Sequence, residues 1–329
     1  MGRYGDGVRM VVIRRSCYNL RLMTPQTRYS FYVLLAGLTA SLSLILSEIA
    51  IRPYAVPPLL VIILGNFIGG ALLVASAANH YDDIALLKQP RNLVGVLCAA
   101  LFIYTLGFLA SFNAVGLVGS GKVALLGQLE TVFVVTLAIL FLGERLTPLR
   151  WLAGAIALLG VLLINFDVQA LRFTLSRGEL LATAAPLAVA SGIIIVKPVL
   201  DLADARLITG LALLLGGIFL TPLLPLTGTP LTLSGAALIV IIAGGIMRGL
   251  AWMFYNVSLR HIGAARCAII FLSYAFFAVT LQIIIVQLAP GLGLQLPNNI
   301  LAAIGGGLLV ALGIAVLQLE SKLLVWLGR

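Results

Sequence analysis

Apolar residues run along this chain in long blocks, without the alternating or three-to-four spacing of a soluble fold. Ten blocks stand near residues 31–51, 55–77, 93–112, 120–142, 148–166, 178–199, 206–226, 235–257, 264–288 and 299–319. Each approaches the about 20 residues that an α-helix needs to cross a hydrocarbon core. Polar or turn-forming residues separate them: Arg52-Pro53, His80 to Asp83, Gly143-Glu144-Arg145, Asp167, Asp201 with Asp204, Thr227 to Pro230, and Pro297 to Asn299. Thr147-Pro148 reads as a helix start, with threonine as the cap and proline where an N–H would have no acceptor. The pattern predicts an all-α membrane protein of ten transmembrane helices.

Composition removes the soluble alternative. Of 329 residues, 61% are apolar and 10% charged, with a mean hydropathy of +1.15, whereas about a quarter of a soluble domain is charged. The net charge of +10 would suggest a nucleic-acid partner in a soluble protein, but topology explains it. With the N-terminus inside, six arginines (Arg3, Arg9, Arg14, Arg15, Arg21, Arg28) fall in the cytoplasm, followed by the pairs Lys88/Arg91, Arg145/Arg150, Lys197/Arg206, Arg260/Arg266 and Lys322/Arg329. Outside lie only Arg52, Lys122, Arg172 and Arg177, and Arg248 lies within a span. Both termini are therefore expected in the cytoplasm of a plasma or bacterial-type inner membrane, with no nucleic-acid partner. Residues 1–30 read as a basic tail or, given Met10 and Met23, partly as sequence upstream of the true start. The first apolar block is expected to be retained as a helix rather than cleaved as a signal. Cys17, Cys98 and Cys267 are isolated and only His80 and His261 exist, so neither a metal nor another cofactor is expected.

The two sets of five blocks resemble each other. Phe112-Asn113 before Val118-Gly119-Ser120-Gly121-Lys122 aligns with Tyr255-Asn256 before Ile262-Gly263-Ala264-Ala265-Arg266, and Arg52-Pro53 aligns with Lys197-Pro198. An odd number of spans per copy makes the second copy enter from the opposite side. Inverted repeats are the mark of secondary transporters, with the substrate site near the midplane between the halves. The chain divides into a tail (1–30), a first five-helix repeat (31–166), a second (178–320) and a short C-terminal tail (321–329).

At this point the residues resemble a known family. Asn113 to Leu117, Gly127-Gln128-Leu129-Glu130 to Phe133, Phe141 to Thr147 with its Leu142-Gly143-Glu144-Arg145-Leu146-Thr147 core, and Trp151 to Ile164 are similar to the EamA-type domain of the drug/metabolite transporter superfamily. Two such domains in tandem cover nearly all of 30–320. The resemblance implies ten helices in two inverted repeats and the movement of small metabolites. Thr131 stands where the family often has proline. Gln287 to Gly291 stand where the second glycine–glutamate signature would fall.

Few groups remain for chemistry. Glu130 lies ten residues into its block, about 15 Å along a helix, near mid-membrane. It is a candidate to bind a cationic part of the substrate or to carry a coupling proton; the plainer alternative is a protonated carboxyl bonding a neighbouring helix. Arg248, which cannot shed its charge, either pairs with Glu130, locking the halves together, or clasps a substrate carboxylate or phosphate. Tyr274 is the repeat counterpart of Glu130. Tyr104, Trp252, Asn113, Asn256 and Gln128 complete the candidate lining, although aromatic residues also pack or anchor at the interface. Glu48, near the end of the first span, is expected to snorkel or pair with Arg52. Gly116 to Lys122 has phosphate-loop spacing, but Val123 replaces the magnesium-binding hydroxyl. Gly65/Gly69 and Gly245/Gly249 permit close helix contact. The leading reading is a secondary transporter, monomer or weak homodimer, exporting a small amino acid-like or other polar or amphipathic solute by alternating access. A non-transporting receptor or structural protein, or an intramembrane enzyme, are the rivals.

Overall fold

The computed structural model describes residues 24–164, 176–229, 231–292, 294 and 305–317. The N-terminal tail before Thr24, the linker at 165–175 and the C-terminal tail lie outside them. All described regular structure is helical. Six helices are long and apolar enough to cross a membrane or form the greater part of a crossing: α1 (Pro25–Ile51), α2 (Pro58–Ser76), α3 (Pro90–Val118), α7 (Arg177–Leu202), α9 (Gly235–Ile262), and a segment over Ala264–Leu288 that divides into α10 (Ala264–Phe271) and α11 (Ser273–Leu288). Shorter apolar helices stand where the other spans are expected: α4 (Ser120–Leu126) with α5 (Leu129–Leu142), α6 (Pro148–Ile164), α8 (Ala205–Leu220) and α12 (Gly305–Leu317).

The starts follow local chemistry. Thr24 caps α1 through Thr27 N, with Pro25 in the first turn, so α1 begins inside the expected tail. Ser176 and Glu179 form a reciprocal capping box on α7, and Thr147 Oγ1 accepts from Arg150 N before Pro148. Arg52-Pro53 ends α1, but Lys197-Pro198 lies inside α7, which continues to Leu202. That boundary is set by the Asp204 cap rather than by proline.

The repeat match is visible in the backbone. Gly119 has φ 83° and ψ 160°, and Gly263 has φ 81° and ψ 164°, a conformation that side chains disfavour. Each opens a span whose first, short helix ends after about two turns, at Gly127-Gln128 after α4 and at Leu272 after α10.

First-repeat helices pack mainly on second-repeat ones: α1 on α9 and α11, α2 on α8 and α9, and α5 on α7 and α10. Small residues allow this. A Cβ at Gly69 would stand 2.8 Å from Gly245 O and 3.0 Å from Gly249 N, so the two glycine pairs meet each other within the chain. Buried hydroxyls and amides join helices across the repeats: Ser43 Oγ donates to Gly244 O at 2.9 Å, Ser41 Oγ to Tyr274 O at 2.9 Å and Thr131 Oγ1 to Ala268 O at 3.1 Å. Large apolar side chains such as Phe141, Leu159, Ile239 and Leu308 point outward, a surface suited to lipid.

Candidate functional site

A cavity of about 130 Å³ opens between the repeats, far above the roughly 10–15 Å³ that a single water needs. Helical spacing builds its walls. Arg248, Ala251, Trp252 and Tyr255 form one face of α9, and Phe108, Ser111 and Phe112 one face of α3. A π-helical stretch over Ala100–Gly107, where Thr105 Oγ1 reaches back to Ala100 O at 2.8 Å, sets the register of that α3 face. The two helix breaks supply Gln128, Glu130 and Thr131 on one side and Phe271 and Tyr274 on the other. Ser43 and Leu44 of α1 and Pro186 and Val189 of α7 close the ring.

Arg248 is buried and carries its charge without a carboxylate. Its Nη1 donates to Ile62 O and Asn66 Oδ1, both at 3.0 Å, and its Cζ lies 4.6 Å from the Phe112 ring centre and 5.1 Å from that of Phe108. Asn66 is itself anchored by donating to Tyr104 O at 3.0 Å. Room for the guanidinium exists because residue 65 is glycine: a Cβ there would sit 2.6 Å from Nη1. Nε has no partner. The Glu130 carboxylate makes no hydrogen bond or ion pair among the described residues, so the Glu130–Arg248 pair, one of the two alternatives for Arg248, is not formed. Backbone, amide and ring contacts hold the arginine instead. The Tyr255 hydroxyl, also at the cavity, is buried without a partner.

Of the eight residues expected from sequence, Glu130, Arg248, Tyr274, Trp252 and Gln128 line the cavity and three do not. Tyr104 packs edge-on behind Trp252, with ring centres 5.2 Å apart. Asn256 donates to Thr209 Oγ1 at 2.8 Å, tying α9 to α8. Asn113 bonds back to Leu109 O at 2.7 Å within its own helix. The sequence reading missed Asn66, Ser43, Ser111 and Thr131. An isolated asparagine in an otherwise apolar span was the one signal available for Asn66.

The sequence matches the model of the EamA-like transporter family twice, over residues 27–166 and 176–317. The chain belongs to the EamA-like transporter family. It is thus a multi-pass membrane protein with an inverted repeat, in a family of small-solute transporters rather than enzymes. One solved structure, described only as a protein crystal structure, shares the EamA-family chain's fold with a TM-score of 0.68 at 19% identity, covering 91% of this chain and 98% of its own. No curated protein matches the sequence.

Proposed function

We propose that this EamA-family protein moves a small solute bearing a cationic and an anionic group on an apolar or aromatic body, by alternating access around the cavity between its repeats. The observation that carries this reading is that Glu130 and Arg248 share one cavity without neutralising each other. A carboxylate and a guanidinium left apart in a low-dielectric space are each costly alone. A solute supplying an ammonium to one and a carboxylate to the other offsets both costs. The rings of Phe108, Phe112, Trp252, Phe271 and Tyr274 suit the body between them. Ten spans, export as the direction, and a proton shared with Glu130 as the coupling ion complete the proposal.

Reconstituted protein is to be screened with radiolabelled amino acids, amines and nucleotide sugars. Flux is expected for a zwitterionic solute. Arg248→Gln is expected to weaken carboxylate recognition about tenfold or more, the scale of one charge-assisted hydrogen bond. Glu130→Gln is expected to slow flux and flatten its pH dependence. A normal rate with unchanged pH dependence would remove Glu130 from the mechanism, and normal affinity of Arg248→Gln for every carboxylate tested would remove the clasp.

A further inference from the structure

The two broken spans are held at their starts by carboxylates, but not by equivalent ones. At one end of the bundle, Glu144, just past α5, accepts from Ala264 N at 2.8 Å and Ala265 N at 3.1 Å, clamping the turn that begins α10. The repeat offset that takes Gly119 to Gly263 takes Glu144 to Leu288, which is exposed at the end of α11. The symmetric carboxylate is therefore missing. Glu48 of α1 stands in its place. It accepts from Ser120 N at 3.2 Å and from Ser120 Oγ, and Gln282 Nε2 of α11 reaches it at 3.4 Å and Ser120 Oγ at 3.2 Å.

This cluster caps the cavity. Glu48 is one helical turn beyond Leu44, and Ser120 is one turn before Val123, both of which line the cavity. Gln282 stands two turns beyond Tyr274 on α11. First-repeat α1 and α4 are thereby closed against second-repeat α11 through side chains. Among the described side chains, the charged group facing Glu48 is Arg52, whose Nε is 3.6 Å from Oε1 and whose Nη2 donates to Val115 O of α3 at 3.5 Å. α4 and α11 present Ser120 and Gln282. Glu48 is wholly buried, yet Oε1 has no hydrogen-bond partner. A buried, under-bonded carboxylate gains hydration when its surroundings part, which narrows the free-energy gap between closed and open arrangements. Glu144 is different: it is half-buried and both its oxygens accept backbone N–H groups.

We infer that Glu48, with Ser120 and Gln282, is the releasable gate at the Gly119 end of the cavity, whereas Glu144 is a fixed joint at the Gly263 end. The inference rests on the transport reading, but its test does not measure flux. In a full-length chain carrying Cys17→Ala, Cys98→Ala and Cys267→Ala, a Ser43→Cys probe is labelled in proteoliposomes of known orientation by a membrane-impermeant maleimide added to each face in turn. Glu48→Gln and Gln282→Leu are each expected to raise labelling from the Gly119 face about tenfold, the scale of one lost hydrogen bond to a charged group, while labelling from the other face does not rise. Gln282→Leu keeps the Glu48–Ser120 bonds and serves if Glu48→Gln fails to fold. Unchanged labelling overturns the gate, as does an equal rise from both faces, the sign of loosened packing. A one-sided rise in a protein that carries no tested solute leaves the gate standing and defeats the proposed function. Flux without any change in sidedness defeats the gate alone.

Discussion

The guanidinium of Arg248 fills space that only a glycine at position 65 leaves free. A Cβ there would lie 2.8 Å from Cζ and 2.9 Å from Nη2, and what it meets is the end of a long side chain rather than backbone. Gly65→Ala is therefore expected to displace the arginine while sparing the helix contact: apparent substrate affinity in the flux assay falls several-fold and the melting temperature in detergent moves little. A change of melting temperature without a change of affinity would contradict this placement. Arg248 and Glu130 were legible as candidates because charge inside an apolar block has few uses. Gly65 and Asn66 were not, since their roles appear only when α2 meets α9. Away from the membrane core, Asp204 caps α8 through Arg206 N and Leu207 N and pairs with the Arg206 side chain at 3.0 Å. Burial raises its pKa, but the Arg206 hydrogen bonds and charge, with the two backbone N–H groups, outweigh burial and hold it below the ordinary 3.8. A depressed carboxyl pKa stabilises the fold above the unfolded-state value, and that contribution is lost as pH falls through the lower folded-state value. Asp204→Ala is expected to cost about 1 kcal/mol at neutral pH, with the difference from the parent shrinking as the pH drops below 3.8 in acid melts.

At the scale of elements, each apolar block contains a helix among the described residues, but the pattern passed over the polar 3-10 helix Ala78–Lys88 and could not show where two of the spans break. The breaks at Gly127-Gln128 and Leu272 carry no proline, and apolar blocks look alike whether they run straight or bend. Aromatic residues posed the same difficulty. Tyr104 and Trp252 are both aromatic and mid-span, yet one packs behind the other, a distinction made by helix rotation and not by composition. The glycine pairs were legible as contact surfaces, and the structure turns them toward each other. Since the Gly69 Cβ position meets backbone atoms of Gly245 and Gly249, Gly69→Ala must push α2 and α9 apart. Overpacking of this kind costs about 1–3 kcal/mol, so the melting temperature is expected to fall by several degrees, in contrast to Gly65→Ala. Equal melting behaviour of the two variants would mean that the α2–α9 contact is not as close as described.

For the whole molecule, the bonds between helix ends sort the charges onto two faces. The start of α1 meets the end of α9, where Ser258 Oγ donates to Tyr29 O at 3.0 Å and Tyr29 stacks on His261. The ends of α2, α7 and α9 join the start of α8 through Arg206 to Ser76 O and Arg260 to Ala203 O, and the 3-10 helix Ala78–Lys88 docks there through Asp83, which accepts from Asp204 N. Glu144 brings the end of α5 to the start of α10. Since α9 ends at Ile262 and α10 begins at Ala264, these contacts share the Gly263 end. Arg28, Lys88, Arg145, Lys197, Arg206 and Arg260 belong to it, whereas Arg52 and Arg177 belong to the Gly119 end, where α1 finishes and α7 starts. Basic loops stay in the cytoplasm, so the Gly263 end is expected to be cytoplasmic and the Glu48 gate to face outward. In intact cells, with the native cysteines replaced, an impermeant maleimide should label Thr227→Cys, at the exposed end of the short helix Leu223–Thr227 beyond α8 at the Gly119 end. Tyr81→Cys, on the exposed 3-10 helix of the Gly263 end, should label only after the cells are permeabilised. The reverse pattern would turn the molecule over in the membrane, and the Glu48 gate would then control access from the cytoplasm.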